Sequence, residues 1–400
     1  MTATCKHLLP VYVLQILFSL GAVLHAQQTA RWSTAMAATV MQRNTGLPGQ
    51  SLTRWSYWKG YTLDGIEMLW LSTGDDRYLN YIRLQIDPYI GKDGHLVNVS
   101  LNGLDGFMSG NIVVGLYEHT RDPRYRQAAE DLRLAMTGFP RNSDGGFWHH
   151  KQLDGQMWID GVFMGQMFLL RYGQSIGDRK ECFDEAIKQI TVFARHAHKK
   201  RTGLYDHAWT ANSAASKVVG GHGQTWADPA TGLSPEVWSE GLGWYALVTA
   251  EALARIPAGY PGREKVLKIY TELAAGLRNY QDAATGGWYV VVDKPKAVGN
   301  WIDPSGSAMF VYALERGIEM GILDKRKYAP VVARGYQSIT HSARMSSNGE
   351  VDVMDGCDGL CVQAGYGDYI RCKRQPNAKE AVASFLWATA IVEKPRAGRY

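Results

Sequence analysis

The carboxylates with the most chemical promise are Asp105, in Asn102-Gly103-Leu104-Asp105-Gly106, and Asp160, in Gln156-Met157-Trp158-Ile159-Asp160-Gly161. Each stands where an apolar segment begins, which is the place of a helix N-cap as well as of a catalytic acid. If both face one cavity, each opposes ionisation of the other, and one of the pair keeps its proton near neutral pH. A carboxyl held protonated in this way can act as a general acid. Groups suited to a sugar surround the pair. His149 follows the loop Gly145-Gly146-Phe147-Trp148, and His207 holds the matching place in Gly203-Leu204-Tyr205-Asp206-His207-Ala208-Trp209. Trp58, Trp158, Trp238 and Trp244 offer faces for stacking on pyranose rings, although rings of this size serve equally as core filling. Trp238 and Trp244 would point in different directions on one helix, so one is expected in the mouth and the other in the packing. Glu240 lies between them and supplies a third acid.

These residues recur at matching places in a repeat. Each unit is an apolar helix, a short Gly/Asp turn, an amphipathic helix and a loop with Gly before an aromatic or polar residue. The turns are Thr73-Gly74-Asp75-Asp76, Thr120-Arg121-Asp122-Pro123, Gly177-Asp178, Pro261-Gly262-Arg263 and Leu323-Asp324-Lys325. A period of roughly 50 to 80 residues with two helices per unit means stacked helical hairpins. The helices before the turns are apolar all round and belong inside. Those after the turns are amphipathic, as where Ile187, Ile190, Val192 and Phe193 alternate with Glu185, Lys188, Gln189 and Arg195. An outer-type helix near 31–43 and an inner-type helix near 381–392 complete a sixth pair. The expectation is an all-α (α/α)6 toroid, a barrel of six helical hairpins. Parallel inner helices bring their N-termini to one mouth, and with them Asp105, Asp160, Glu240 and Asp303. Helix N-termini also carry unpaired N–H groups that favour an anionic ligand.

The chain has 400 residues, 13 of them Trp and 21 Tyr, and a net charge of +5. Lys and Arg are scattered rather than clustered, which argues against nucleic acid as a partner. Lys6 and His7 precede an apolar stretch over 8–24, and small residues surround Ala26. This reads as a signal peptide, 1–26, ahead of one catalytic domain, 27–400, in a secreted or periplasmic protein. The stretch is too short and too interrupted for stable membrane insertion. Among Cys357, Cys361 and Cys372 one disulfide is expected, with the pair left open. No spacing of His and Cys suits a metal, and neither metal nor other cofactor is expected.

The pattern resembles glycoside hydrolase family 105, the unsaturated rhamnogalacturonyl hydrolases, related to family 88. The likeness rests on Pro140-Arg141, Gly145-Gly146-Phe147-Trp148-His149, Gln156-Met157-Trp158-Ile159-Asp160-Gly161, Thr202-Gly203-Leu204-Tyr205-Asp206-His207-Ala208-Trp209, Ser234-Pro235-Glu236-Val237-Trp238, Gly243-Trp244-Tyr245 and Ser305-Gly306-Ser307-Ala308-Met309-Phe310, in order along the chain. The resemblance implies an (α/α)6 barrel without metal. It implies an oligosaccharide substrate ending in a 4-deoxy-4,5-unsaturated uronic acid, removed by hydration of the double bond. Asp160 matches the family's acid/base, and Asp105 matches a second carboxylate that holds ring hydroxyls. His149, Trp158, His207, Trp238 and Trp244 match its subsite positions. The sequence departs at Glu240, where several members carry Arg. An arginine would pair with the substrate carboxylate; a glutamate repels it unless protonated or turned away, leaving Lys151 or Lys217 as replacements. The alternatives are an ordinary glycosidase with Asp160 as acid and Asp105 or Glu240 as base, and a toroid that binds sugar without turnover.

Overall fold

A computed structural model describes residues 31–394 apart from 48 and 222. The expected signal peptide, 1–26, lies outside the described residues. Twelve long helices follow one another: α1 Trp32–Arg43, α2 Tyr57–Thr73, α3 Asp76–Ile86, α4 Asp105–Thr120, α5 Pro123–Thr137, α6 Ile159–Ser175, α7 Arg179–Ala197, α8 Ser239–Arg255, α9 Arg263–Tyr280, α10 Pro304–Glu319, α11 Lys325–His341 and α12 Lys379–Val392. The even-numbered helices form the inner ring. Each packs on the next, and α12 returns to α2. The odd-numbered helices form the outer layer. This is the (α/α)6 barrel, with α12 and α1 as the sixth pair.

The two layers differ as their patterns require. Along α8 every residue from Ser239 to Leu253 is buried, whereas α7 buries one stripe that includes Ile187, Ile190, Val192 and Phe193. The Asp of several turns caps the outer helix that follows: Asp75, Asp122 and Asp324 accept from the backbone N–H of Arg77, Arg124 and Arg326. Gly74 ends α2 in the left-handed conformation at φ 68°. Close helix approach also needs small residues. A Cβ on Gly60 of α2 would lie 2.7 Å from the Met108 backbone of α4.

The ring is sealed across its two ends. Glu393, just past α12, accepts from the N–H groups of Trp32 and Ser33 at the start of α1, at 3.0 and 2.9 Å, and from the hydroxyls of Ser33 and Tyr336. On the barrel axis the rings of Tyr61, Phe163, Trp244 and Trp387 pack together, with Tyr61 centred 4.8 Å from both Trp244 and Trp387. This aromatic plug separates two cavities. Trp244 walls one and Trp387 walls the other. Among the described residues no helix is long and apolar enough to cross a membrane.

Candidate active site

The inner helices bring their N-termini to one mouth. Among the described residues five of the six carry a carboxyl there: Asp105 is the first residue of α4, Asp160, Glu240 and Glu380 are the second residues of α6, α8 and α12, and Asp303 caps α10. At α2 the corresponding group is Tyr57, whose hydroxyl donates to Glu380 Oε1. A cavity of about 240 Å³ opens among them, walled by Tyr57, Asp105, His149, Trp158, Asp160, Trp238, Glu240, Trp244, Lys379, Glu380 and the loop segment 358–361.

Asp160 is held from behind. His207 Nε2 lies 3.0 Å from Asp160 Oδ2, and its Nδ1 lies 2.8 Å from the Tyr369 hydroxyl. That hydroxyl already accepts the Gln363 N–H, so its own proton is free to go to His207 Nδ1. Nε2 then keeps the ring's proton and donates it to Asp160. His207 is 0% exposed. It stands behind Asp160 rather than on the cavity wall, so it positions the carboxyl rather than meeting a ligand. The backbone fixes it as well: Ile159 N–H donates to His207 O, and His207 N–H donates to Glu236 O. Antiparallel pairing of 156–158 with 208–210 sets Trp158 opposite Ala208, beside this histidine.

Asp105 opens toward the cavity, with 41% of its side-chain surface accessible. The rest of its surface is packed against the wall of the mouth. Burial pushes its carboxyl above the usual range, His149 opposes this, and Asp160 adds to it. His149 Nε2 is 3.8 Å from Asp105 Oδ1. Its ring lies flat on Trp158, 4.4 Å between centroids with planes 9° apart. That contact covers one face of Trp158.

Glu240 is 0% exposed, and neither of its carboxyl oxygens has a hydrogen-bond partner. Burial raises its pKa far above the ordinary range, and Asp303 and Glu380 raise it further. Glu380 and Asp303 are also raised, by burial first. Asp303 is the best satisfied of the three. It accepts from Ser239 Oγ at 2.5 Å and from the N–H groups of Ser305 and Gly306 at 3.0 Å.

Three expectations need correction. Trp58 is not on this mouth; it faces a separate cavity with Met36, Val40, Leu52 and Thr62, because one residue's advance along α2 turns the side chain by about 100°. Trp238 and Trp244 both wall the site, because Trp238 lies just before α8 in extended conformation, outside the helical geometry. Lys151 rests over the Phe139 ring and Lys217 donates to Gly223 O; neither lines the cavity. The lysine that does is Lys379. The open cysteine pairing resolves as Cys357–Cys372, leaving Cys361 free on the cavity wall. Tyr57, Glu380, Tyr369 and the 358–361 segment also belong to the site or its support and carry no motif that marks them in the sequence. Glu380 is within reach of the sequence, because the repeat places an acid at most inner-helix starts and α12 begins two residues before the expected 381.

Residues 32–395 match the family model of Glycosyl Hydrolase Family 88. A family 105 glycoside hydrolase structure from C. acetobutylicum superposes with a TM-score of 0.83 at 28% identity, over 91% of this chain and 99% of that one. The unsaturated glucuronyl hydrolase structure from Bacillus sp. GL1 shares the fold, with a TM-score of 0.66 at 14% identity, over 90% and 95% of the two chains. Among curated proteins, an unsaturated 3S-rhamnoglycuronyl hydrolase of Alteromonas sp. (strain LOR) is 27% identical over 106 residues, 26% of this chain and 25% of that protein. A 24.9 kDa protein in the picA locus of Rhizobium radiobacter is 32% identical over 176 residues, 44% of this chain and 70% of that one. Matched over nearly the whole barrel in sequence and in structure, the chain belongs to the glycoside hydrolases of family 88 and its relative family 105.

Proposed function

We propose that this chain is an exported hydrolase that removes a 4-deoxy-4,5-unsaturated uronic acid from the non-reducing end of oligosaccharides released by lyases from pectin or rhamnogalacturonan. The observation that carries the reading is Asp160, a single carboxyl oriented by a buried histidine on the wall of an aromatic cavity. Hydration needs only one such group, because the proton it gives is returned within the cycle. Asp160 delivers a proton to C4 of the enol ether. Water adds its hydroxyl at C5 and returns its other proton to Asp160. The hemiketal so formed opens at the ring C5–O bond to a ketone, and the hemiacetal left at C1 releases the leaving sugar. One water is consumed and the anomeric carbon is never attacked, so the carboxyl spacings of ordinary glycosidases do not govern the outcome.

Asp105, which retains its proton more readily than an exposed carboxyl, donates to a ring hydroxyl in this scheme. His149, Trp158, Trp238, Trp244 and Glu240 wall the sugar, and His207 holds Asp160. The names borne by the relatives from Alteromonas and Bacillus support the substrate class. The double bond erases the C4 configuration that separates galacturonyl from glucuronyl rings. Choice therefore falls to the anomeric linkage and the leaving sugar. The Cys357–Cys372 bridge and the N-terminal pattern support export.

The test is the ultraviolet absorbance of the conjugated double bond in lyase-generated disaccharides. Wild type is expected to bleach it, and Asp160→Asn to abolish bleaching with an unchanged circular dichroism spectrum. Cleavage of saturated oligosaccharides with no bleaching would reject hydration in favour of an ordinary glycosidase.

A further inference from the structure

The unsaturated sugar read from this site carries a carboxylate on C5, and some group in the cavity has to meet it. Among the described lining residues none is an arginine, and Lys379 is the only lysine. Lysines next to the His207 segment are already taken: Lys199 lies 2.8 Å from Asp206 and Lys294 lies 2.6 Å from Glu236. His149 lies beside Asp105, and His207 stands behind Asp160. The Lys379 ammonium has neither an ion pair nor a hydrogen bond among the described residues. Its side chain also borders the neighbouring cavity of Trp58. There Arg43 already holds Glu350 and Asp352, at 2.6 and 2.9 Å.

Lys379 is the first residue of α12, and the N–H groups of that first turn have no side-chain cap. The partial positive charge of the helix end and the ammonium therefore act at one place. The next residue, Glu380, accepts the Tyr57 hydroxyl, and burial opposes the ionisation of its carboxyl. Asp358 reaches the same cavity from the 358–361 segment and forms no ion pair with Lys379 among the described residues. In the inner ring of helices α12 stands opposite α6, three steps away in either direction. A sugar bound between them has Asp160 on one side and Lys379 on the other.

We propose that Lys379 is the specificity-determining residue for the uronate: its ammonium pairs with the C5 carboxylate and selects the free acid over neutral forms of the same sugar. The inference rests on the hydration reading. Protonation at C4 develops positive charge at C5, the carbon that bears the carboxylate. A cation held against that carboxylate gives this step no help, so its contribution is to substrate binding. A charge-assisted contact of this kind is worth roughly ten- to hundredfold in affinity.

The experiment compares one unsaturated galacturonyl disaccharide in two forms, as the free acid and with the double-bonded ring methyl-esterified. Loss of the double-bond absorbance gives kcat and KM for each. Wild type is expected to show the lower KM for the free acid. Lys379→Gln, checked by its unfolding midpoint, should raise the free-acid KM roughly ten- to hundredfold, with kcat within about threefold. It should change the ester's KM far less, so that the preference for the free acid collapses. Lys379→Arg, which keeps the charge, should restore the preference. Equal KM values for the two forms in wild type overturn the proposal. So does a Lys379→Gln variant that raises both KM values alike, because a wall residue without a charge role would do the same. Bleaching of neither form by wild type is a different result, and it rejects the hydration reading itself.

Discussion

Among the described residues Asp160 has one hydrogen bond to hold it, from His207 on Oδ2, and the His207 ring has one behind it, from Tyr369. A misplacement of about 1 Å at a reacting group costs on the order of a hundredfold in rate. His207→Gln is therefore expected to lower kcat by roughly that factor and to leave KM within about threefold. The split separates positioning from binding; a variant that raised KM at unchanged kcat would refute the assignment. Glu240 yields a stability prediction. Its folded pKa is raised, so the stability it contributes is full below the ordinary carboxylate range and is lost as pH rises toward the folded value. Glu240→Gln cannot ionise. Its midpoint should gain on wild type as pH rises, and a difference constant with pH would mean that Glu240 does not titrate there. At this scale the sequence was legible where position within the repeat decides the outcome. Asp105, Asp160 and Glu240 were found that way. It was illegible where one step around a helix decides: Tyr57 faces the cavity and Trp58 faces away. It was equally silent on His207, whose motif marked it as important but whose place behind the carboxyl depends on a tyrosine 162 residues away.

Between residue and barrel stands the loop that carries 358–361 to the cavity. Cys357 and Cys372 join its ends at a Cα–Cα distance of 5.8 Å, and its one-turn helix, Tyr366–Ile370, presents Tyr369 to His207. Closing 15 residues in this way constrains the unfolded chain by about 3 kcal/mol. The double variant Cys357→Ser, Cys372→Ser is expected to lose about that much stability. It should also raise KM, because part of the cavity wall and the support of His207 both depend on this loop. Unchanged KM together with a lowered midpoint would confine the bridge to stability. The helices were readable because their periodicity is local and most turns carry a capping Asp or a Gly in the left-handed conformation. The loop was not, because what shapes it is a cysteine pair and a hydrogen bond to another hairpin, and neither has a local signal.

The barrel has a second mouth, at the C-terminal ends of the inner helices, and its electrostatics are the reverse of the first. There Glu67, Glu118 and Glu251 are paired with arginine, while Asp64 is met only by the Asn111 amide among the described residues and burial holds its carboxyl above the usual range. Arg171 lies 2.7 Å from Glu67 and 2.5 Å from Glu118, and Arg316 lies 3.0 Å from Glu251. Glu67, Glu118 and His119 are also close enough together to hold a cation, but Arg171 already supplies that charge. Burial alone would raise the Glu67 carboxyl; Arg171 and His119 outweigh it and bring the pKa down to about 2. One end thus pairs Glu67, Glu118 and Glu251 with arginines, while the acids of the other have no arginine beside them among the described residues. Arg171→Met tests this division. Removing one partner of a buried pair costs on the order of 3–5 kcal/mol, because the charges left behind are unpaired. The sign with pH follows from the shift. In wild type, Glu67 contributes stability that is present above the ordinary carboxylate range and is lost as pH falls toward about 2. In the variant, burial acts unopposed by Arg171, so Glu67 protonates at higher pH and the penalty is relieved. The deficit in unfolding midpoint should be largest at neutral pH and shrink on acidification, while folded enzyme still turns over at the other mouth. A deficit that stays constant with pH would mean lost packing rather than lost charge.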